Sequence, residues 1–359
     1  MSGFSRFRAA LDGVSGLGRG FLAAKGGLKA RLQAVLGSAA GQRNAMAVLR
    51  FAKPHLQLKQ NLITCYEAEG ALMVTRAADF HAVIERQDQF QVVYGSRMRM
   101  LTGGRDFFLG MQDGPDYRRD TGAMRSIVKP DDLGPAMAMA RAEAAEALAG
   151  PEVDLPPSLS ARTRALMMQR YLGVEMEAEQ LIADATVMFH FLFSDLAADP
   201  AITAAAMAAK DRVNAAIDAS AATAGPDTLL GRAVAAGKAG SSAFDADGIR
   251  ANIIGIVIGA IPTLSKASCL ALKELLRRLT AFAAVRPLAQ AGNKPGVADH
   301  LWEALRFNPV NLILYRRAAT ATRIGDTEVA ANSMVLAANS SAMFDEETVE
   351  QPTRCLAWG

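Results

Sequence analysis

The 359-residue sequence predicts a mainly α-helical domain with small β-sheets. Three observations predict it. Hydrophobic residues make up 51% of the chain and charged residues 21%, which suits a large buried core and rules out general disorder. Apolar residues recur at helical spacing through most of the chain, from Ala136–Ala149 to a long run over Ala246–Leu279. Strand-like runs are short and sit near Leu72 or beyond Leu312.

The first fifty residues read as a basic leader, separate from a domain over 51–359. They hold eight basic residues (Arg6, Arg8, Arg19, Lys25, Lys29, Arg31, Arg43 and Arg50) and one acid, Asp12, with Phe4, Phe7, Leu11, Phe21, Leu28, Leu32 and Val35 between them. Two readings fit: a segment lying on an anionic membrane surface, or a solvated leader packed on the domain. Gly13, Gly16, Gly18 and Gly20 are expected to break any long helix there.

From Pro54 the pattern changes. A strand is predicted over Leu72–Thr75 after the Gly70 turn, and a helix over Ala77–Asp88. A turn-rich stretch from Thr102 to Pro115 precedes a helix over Tyr117–Lys129. Pro151–Pro157 reads as a linker. Helices follow over Ala161–Leu172, Ala178–Leu196 and Ala201–Ala219, then a loop-like stretch from Gly225 to Gly240 with a short helix. The long helix over Ala246–Leu279 carries Pro262. Its most apolar window, Ala251–Ser265, is shorter than the roughly 20 residues of a membrane span, so it reads as a core helix. Val297–Phe307 is a helix stopped by Asn308-Pro309, because a residue before proline resists helical geometry. Short strands are predicted over Leu312–Arg316, Thr320–Ile324 and Met334–Ala337.

Several functions are excluded at this stage. A net charge of +3 argues against nucleic acid as a partner. Cys65, Cys269 and Cys355 are odd in number and far apart, which fits a reducing cytoplasm. Gly16, Gly18 and Gly20 follow no strand and lack dinucleotide-loop spacing. His55, His81, His190 and His300 show no zinc-type pairing, and His190 between two phenylalanines reads as a core histidine. Ser241-Ser242 make no nucleophile elbow.

The informative element is Glu303-Ala-Leu-Arg306, followed by Phe307-Asn-Pro309. Residues three apart share a helix face. Leu301, Trp302, Ala304, Leu305 and Phe307 surround the pair, so it is expected to be half-buried, with the arginine fork binding both Glu303 and a downstream loop.

With Tyr315-Arg316-Arg317-Ala318, Ile324-Gly325 and the run Val335–Asp345 downstream, and Leu109-Gly-Met111 with Asp113-Gly-Pro115-Asp-Tyr117 upstream, the chain resembles the cytochrome P-450 family of haem-thiolate monooxygenases over roughly 51–353. The resemblance implies a single P-450-like domain, a haem cofactor and oxygen insertion into an apolar small molecule. It also implies electrons from a separate electron-transfer protein, in a soluble, bacterial-type, cytoplasmic enzyme. It assigns Arg316 to a haem propionate and the long helix to the haem face, through Gly259, Ala260 and the oxygen-side Thr263. Ile254, Val257, Ile258 and Ile261 are expected to line the apolar slot.

The departures shape the expectations further. Pro262 stands where the family has an acid, which removes a backbone donor, is expected to open the helix, and makes peroxide use more plausible. Tyr117 stands where many relatives have histidine, and Thr121 replaces the expected arginine, leaving Arg118, Arg119 or Arg125 as substitutes. The family's glycine-rich cysteine loop is missing. Pro352-Thr-Arg-Cys355 aligns with the segment before that loop and has no upstream glycine turn, so Cys355 is not expected to ligate metal. The chain reads as truncated before its ligand loop. The alternative function is therefore an inactive remnant that binds a ligand or partner.

Overall fold

The computed structural model describes residues 2–61, 63–350 and 352. Three helices come first, α1 (Ser2–Ala23), α2 (Leu28–Gly37) and α3 (Ala39–Ala52). Then follow β1 (His55–Leu58), β2 (Ala71–Val74), α4 (Ala77–Glu85) and β3 (Phe90–Val92). A helical stretch runs through α5 (Gly95–Leu101), α6 (Pro115–Ile127), α7 (Leu133–Ala147), α8 (Thr163–Leu172), α9 (Ala178–Phe193), α10 (Pro200–Ala221) and α11 (Leu229–Lys238). It ends in the long α12 (Ala246–Arg277). The rest is α13 (Leu279–Gln290), α14 (Lys294–Phe307), β4 (Leu314–Ala318), β5 (Thr322–Ile324), β6 (Thr327–Val329), β7 (Met334–Ala337) and α15 (Asn339–Ala342). The fold is mainly α with small sheets, as the sequence predicts.

The chain divides into two compact units, one of residues 1–62, 68–91 and 270–359, the other of residues 63–67 and 92–269. In the first unit a five-stranded sheet has the order β1-β2-β7-β4-β3. β7 lies parallel to β2, with Ala71 opposite Met334 and Val74 opposite Ala337, and antiparallel to β4. All four β7 residues are buried, the pattern of a strand covered on both faces. Leu72, Val74, Val83, Phe90, Ile324 and Val335 form its core. A second cluster joins Ala271, Leu275, Ala281, Val285 and Ala304, so α13 and α14 pack through small and branched side chains.

His55 fastens the edge of that sheet. Its Nδ1 lies 2.8 Å from Thr327 Oγ1 and its Nε2 2.8 Å from Asp79 Oδ2. Gly325 closes the β5–β6 turn at φ +53, and a Cβ there would sit 3.1 Å from the His55 ring. His55→Leu leaves Asp79 without this partner and should cost about 1–3 kcal/mol in urea unfolding.

The second unit is built on α9 and α10. Ala185, Met188, Leu192, Val213 and Ile217 are at most 1% exposed. Asp184 on α9 accepts both Nε and Nη2 of Arg212 on α10, at 3.1 and 2.5 Å.

Several expectations are corrected. The α1 glycines do not break the helix, and two of them sit against α3: a Cβ on Gly13 would lie 2.7 Å from the Asn44 carbonyl oxygen, and one on Gly16 would overlap the Asn44 side chain. Leu155–Arg162, which begins inside the expected linker, is a wide π-type turn. β3, β6 and α13 were not anticipated; the two strands are three residues each, too short for a period to register. α12 runs as one helix from Ala246 to Arg277 with Pro262 inside it. His190 is exposed, not a core residue, since it lies on the outer face of α9.

Candidate functional site

In the first unit, α14 places Glu303 and Arg306 one turn apart. Arg306 Nε lies 2.7 Å from Glu303 Oε2 and its Nη2 2.9 Å from Oε1, with the two side chains 13% and 12% exposed. The remaining nitrogen, Nη1, donates to the Met343 carbonyl at 3.0 Å and the Pro352 carbonyl at 2.9 Å. The guanidinium also lies over the Phe307 ring, 4.4 Å from its centroid. One arginine thus joins α14 to the segment after α15.

That segment is held from the N-terminal side as well. Asp345, 1% exposed, accepts Arg6 Nε at 3.2 Å, Arg6 Nη2 and the Ala77 amide at 2.9 Å, capping α4. Arg50, 2% exposed, donates to the Ser341 and Phe344 carbonyls and to Glu346. Burial pushes the Asp345 carboxyl up, but the Ala77 amide and the Arg6 guanidinium outweigh it and hold the carboxyl below its usual range. A folded pKa below the unfolded one means that the stabilisation is complete above the unfolded pKa, about 3.9, and is lost as pH falls through the folded value. Asp345→Asn should cost about 1.5–3 kcal/mol near neutral pH, and urea unfolding across the acid range should show a shallower pH slope in the variant.

In the second unit, α12 has two faces. Ile253, Ile254, Val257, Ile258 and Ile261 are each at most 1% exposed, so the branched residues expected to line a slot are core. At about 100° per residue, Asn252, Ile256, Gly259, Ala260 and Thr263 form one stripe, and all five are half-exposed. Gly259 keeps the stripe thin: a Cβ there would meet Leu109 Cδ1 at 3.2 Å. Gly255, off the stripe, is already filled, since a Cβ there would lie 2.5 Å from the Phe107 ring. Gly255→Ala should therefore destabilise by about 1–3 kcal/mol, read as a lowered thermal midpoint. Two other α12 hydroxyls are engaged off the stripe, Ser265 with the Ser160 carbonyl and Ser268 with the Leu264 carbonyl. Thr263 is thus the hydroxyl that the accessible face presents.

The remaining predicted residues are placed as follows. Tyr117 is half-exposed on α6. Arg118 is exposed and pairs with Asp113 at 2.9 Å, while Arg119 pairs with Asp116 and Asp120. Arg119 borders a polar cavity of about 440 Å³ whose wall also includes Arg105, Asp120 and Asn252. Arg316 lies on β4, half-buried, and donates to the Tyr315 carbonyl at 2.9 Å. Tyr117, Arg118, Gly259, Ala260 and Thr263 belong to the second unit, and Glu303, Arg306 and Arg316 to the first. Cys65 and Cys269 are free thiols, and burial pushes the Cys65 thiol up, against the nearby Arg97. Cys355 lies outside the described residues. Sequence reasoning missed the roles of Arg6, Arg50 and Asp345; their partners are hundreds of positions away, and no local spacing signals them.

A chain with the long helix α12, the five-stranded sheet and the part-buried Glu303–Arg306 pair has the cytochrome P450 fold. A ligand-free structure of cytochrome P450 TbtJ1 matches with a TM-score of 0.73 at 19% identity, over 89% of this chain and 80% of that one. Cytochrome P450 CYP268A2 of Mycobacterium marinum, in complex with pseudoionone, matches at 0.71 and 17% identity, over 90% and 80%. The haem domain of CYP116B5 of Acinetobacter radioresistens matches at 0.67 and 15%, over 88% and 79%. No family model and no curated protein matches the sequence.

The fold implies haem, and the α12 stripe fits it on this side. The half-exposed Ala260 leaves the helix backbone close to whatever lies there, Leu109 packs over Gly259 beside it, and Ile256 supplies an apolar edge.

Proposed function

We propose that this chain is the scaffold of a haem-dependent monooxygenase that inserts oxygen into an apolar organic substrate, with electrons from a separate redox protein. The carrying observation is the half-exposed α12 stripe with Gly259, Ala260 and Thr263, in a chain of cytochrome P450 fold. Haem, when bound, supplies the oxidising chemistry. Ala260 gives it room against the helix backbone, Gly259 lets Leu109 pack close beside it, Ile256 keeps water away, and Thr263 Oγ1 holds a proton at the reacting face. Tyr117 and Arg118, in the same unit as the stripe, are the proposed partners of the propionates, and Arg118 must leave Asp113 to serve. With Pro262 in place of an acid, the proton path through α12 has no carboxylate beside Thr263, which supports peroxide as an oxidant. The free cysteines support a reducing, cytoplasmic setting.

A second reading, a ligand- or partner-binding scaffold without catalysis, is favoured by the cysteines. Cys65 sits in a turn and Cys269 on α12, neither in a glycine-rich loop. The reduced, CO-bound spectrum of haem-supplied protein separates the two. The expected result is haem uptake without a thiolate-type red-shifted Soret band. A band abolished by Cys355→Ser would identify that thiolate and favour the catalytic reading.

A further inference from the structure

The N-terminal helices carry an apolar face that no described residue of the first unit covers. On α1, Phe4, Phe7, Leu11 and Val14 follow at spacings of three, four and three and are 74%, 44%, 53% and 57% exposed. Such spacing makes one stripe along a helix. The opposite side of α1, with Ala10 and Gly13 buried, packs on α3. The stripe extends to α3 through Phe51, whose ring centroid is 5.6 Å from that of Phe7. On α2, Leu28, Leu32 and Leu36 form a second exposed row.

The charges around these rows are sorted by the fold. Arg6 and Arg50 point inward and are matched by Asp345, Glu346 and Glu347, and Arg43 is half-buried over the Phe344 ring. Arg8, Arg19, Lys25 and Lys29 stay exposed; Asp12, the sole acid in the first fifty residues, lines one groove with Arg8, Glu346 and Glu350. Arg8 and Arg19 fall on the flank of the α1 stripe at about 100° per residue.

We infer that α1 and α2 lie on an anionic lipid bilayer surface, the leucine and phenylalanine rows at the acyl boundary and the outward basic residues among the headgroups. An apolar row flanked by cations is the arrangement that anionic lipid complements. A second protein copy would have to accept the same excess of outward positive charge, twice over in a symmetric pair. This surface is independent of the α12 stripe.

The test is co-sedimentation of the full chain with two vesicle preparations, pure phosphatidylcholine and an equal mixture of phosphatidylcholine and phosphatidylserine. Binding is expected to the mixed vesicles and to fall as salt is raised, because screening shortens the reach of the charges. Each Lys or Arg near an anionic surface strengthens partitioning about fivefold, so Arg8→Gln with Arg19→Gln should weaken it about 25-fold. Phe4→Ser with Leu11→Ser should weaken it roughly tenfold or more. Those side chains face away from α3, so circular dichroism and the thermal midpoint should stay unchanged. The arginine pair, fully on the surface, tests the inference even if the apolar pair perturbs folding. Equal binding to both preparations, binding to neither, or a dimer that the Phe4 and Leu11 substitutions dissociate would overturn it.

Discussion

Glu303→Ala should destabilise the protein by about 3–5 kcal/mol, the range for removing one partner of a buried ion pair. Arg306 would keep its bonds to the Met343 and Pro352 carbonyls but lose the carboxylate that takes both Nε and Nη2. With only about an eighth of each side chain exposed, water cannot replace that carboxylate at full strength. The loss should spread, because the same guanidinium fixes the segment in which Arg50 and Arg6 find their partners. Equilibrium urea unfolding measures it, and Glu303→Gln should recover part of the loss by keeping a hydrogen-bond acceptor. A midpoint within about 0.5 kcal/mol of the parent, the scale of a surface substitution, would mean that the pair contributes little.

Thr263→Val should slow oxygen-driven turnover by about 10²-fold, the lower end for a lost proton-transfer contact. The relevant preparation is haem-loaded protein with a glycine-rich cysteine loop fused after residue 352, assayed with reductant and oxygen and, separately, with peroxide. Valine keeps the shape of threonine and removes the hydroxyl. Pro262 supplies neither a carboxylate nor a backbone N–H at the adjacent position, so no neighbouring acid compensates for the loss. Peroxide arrives already protonated and should lose far less. Equal losses in both assays would assign Thr263 to pocket shape.

What was legible in the sequence is what short-range pattern encodes. The helices around Ala178, Pro200 and Ala246 stand on runs of three turns or more, and the Asn308-Pro309 stop of α14 on a single steric rule. Glu303 and Arg306 could be paired because three residues is one turn. The faces of α12 could not be sorted from hydrophobicity: Ile256 lies on the accessible stripe, while Ile254 and Ile258, two residues away on either side, are core. Hydropathy ranks these isoleucines equally, and the packing of each neighbouring element decides which stay accessible. The α1 glycines were misread for a related reason. Propensity penalises a glycine in a helix by about 1 kcal/mol, but close approach to the Asn44 backbone gives Gly13 a place that a side chain could take only by shifting that backbone. Arg6 and Arg50 looked like solvated leader charges because Asp345 and Glu346 lie at the other end of the chain.

Haem titration of the parent chain and of Ala260→Phe, followed by absorbance, tests the central claim most directly. Ala260 is half-exposed on the α12 stripe, so a phenyl ring there should occupy the space assigned to the cofactor while leaving the core face of the helix intact. The account predicts saturable haem uptake by the parent chain and a loss of about tenfold or more in affinity, roughly 1.4 kcal/mol, in Ala260→Phe, with little change in thermal midpoint. Equal uptake by both proteins, or saturable uptake by neither, would contradict the assignment of the α12 stripe as the haem face.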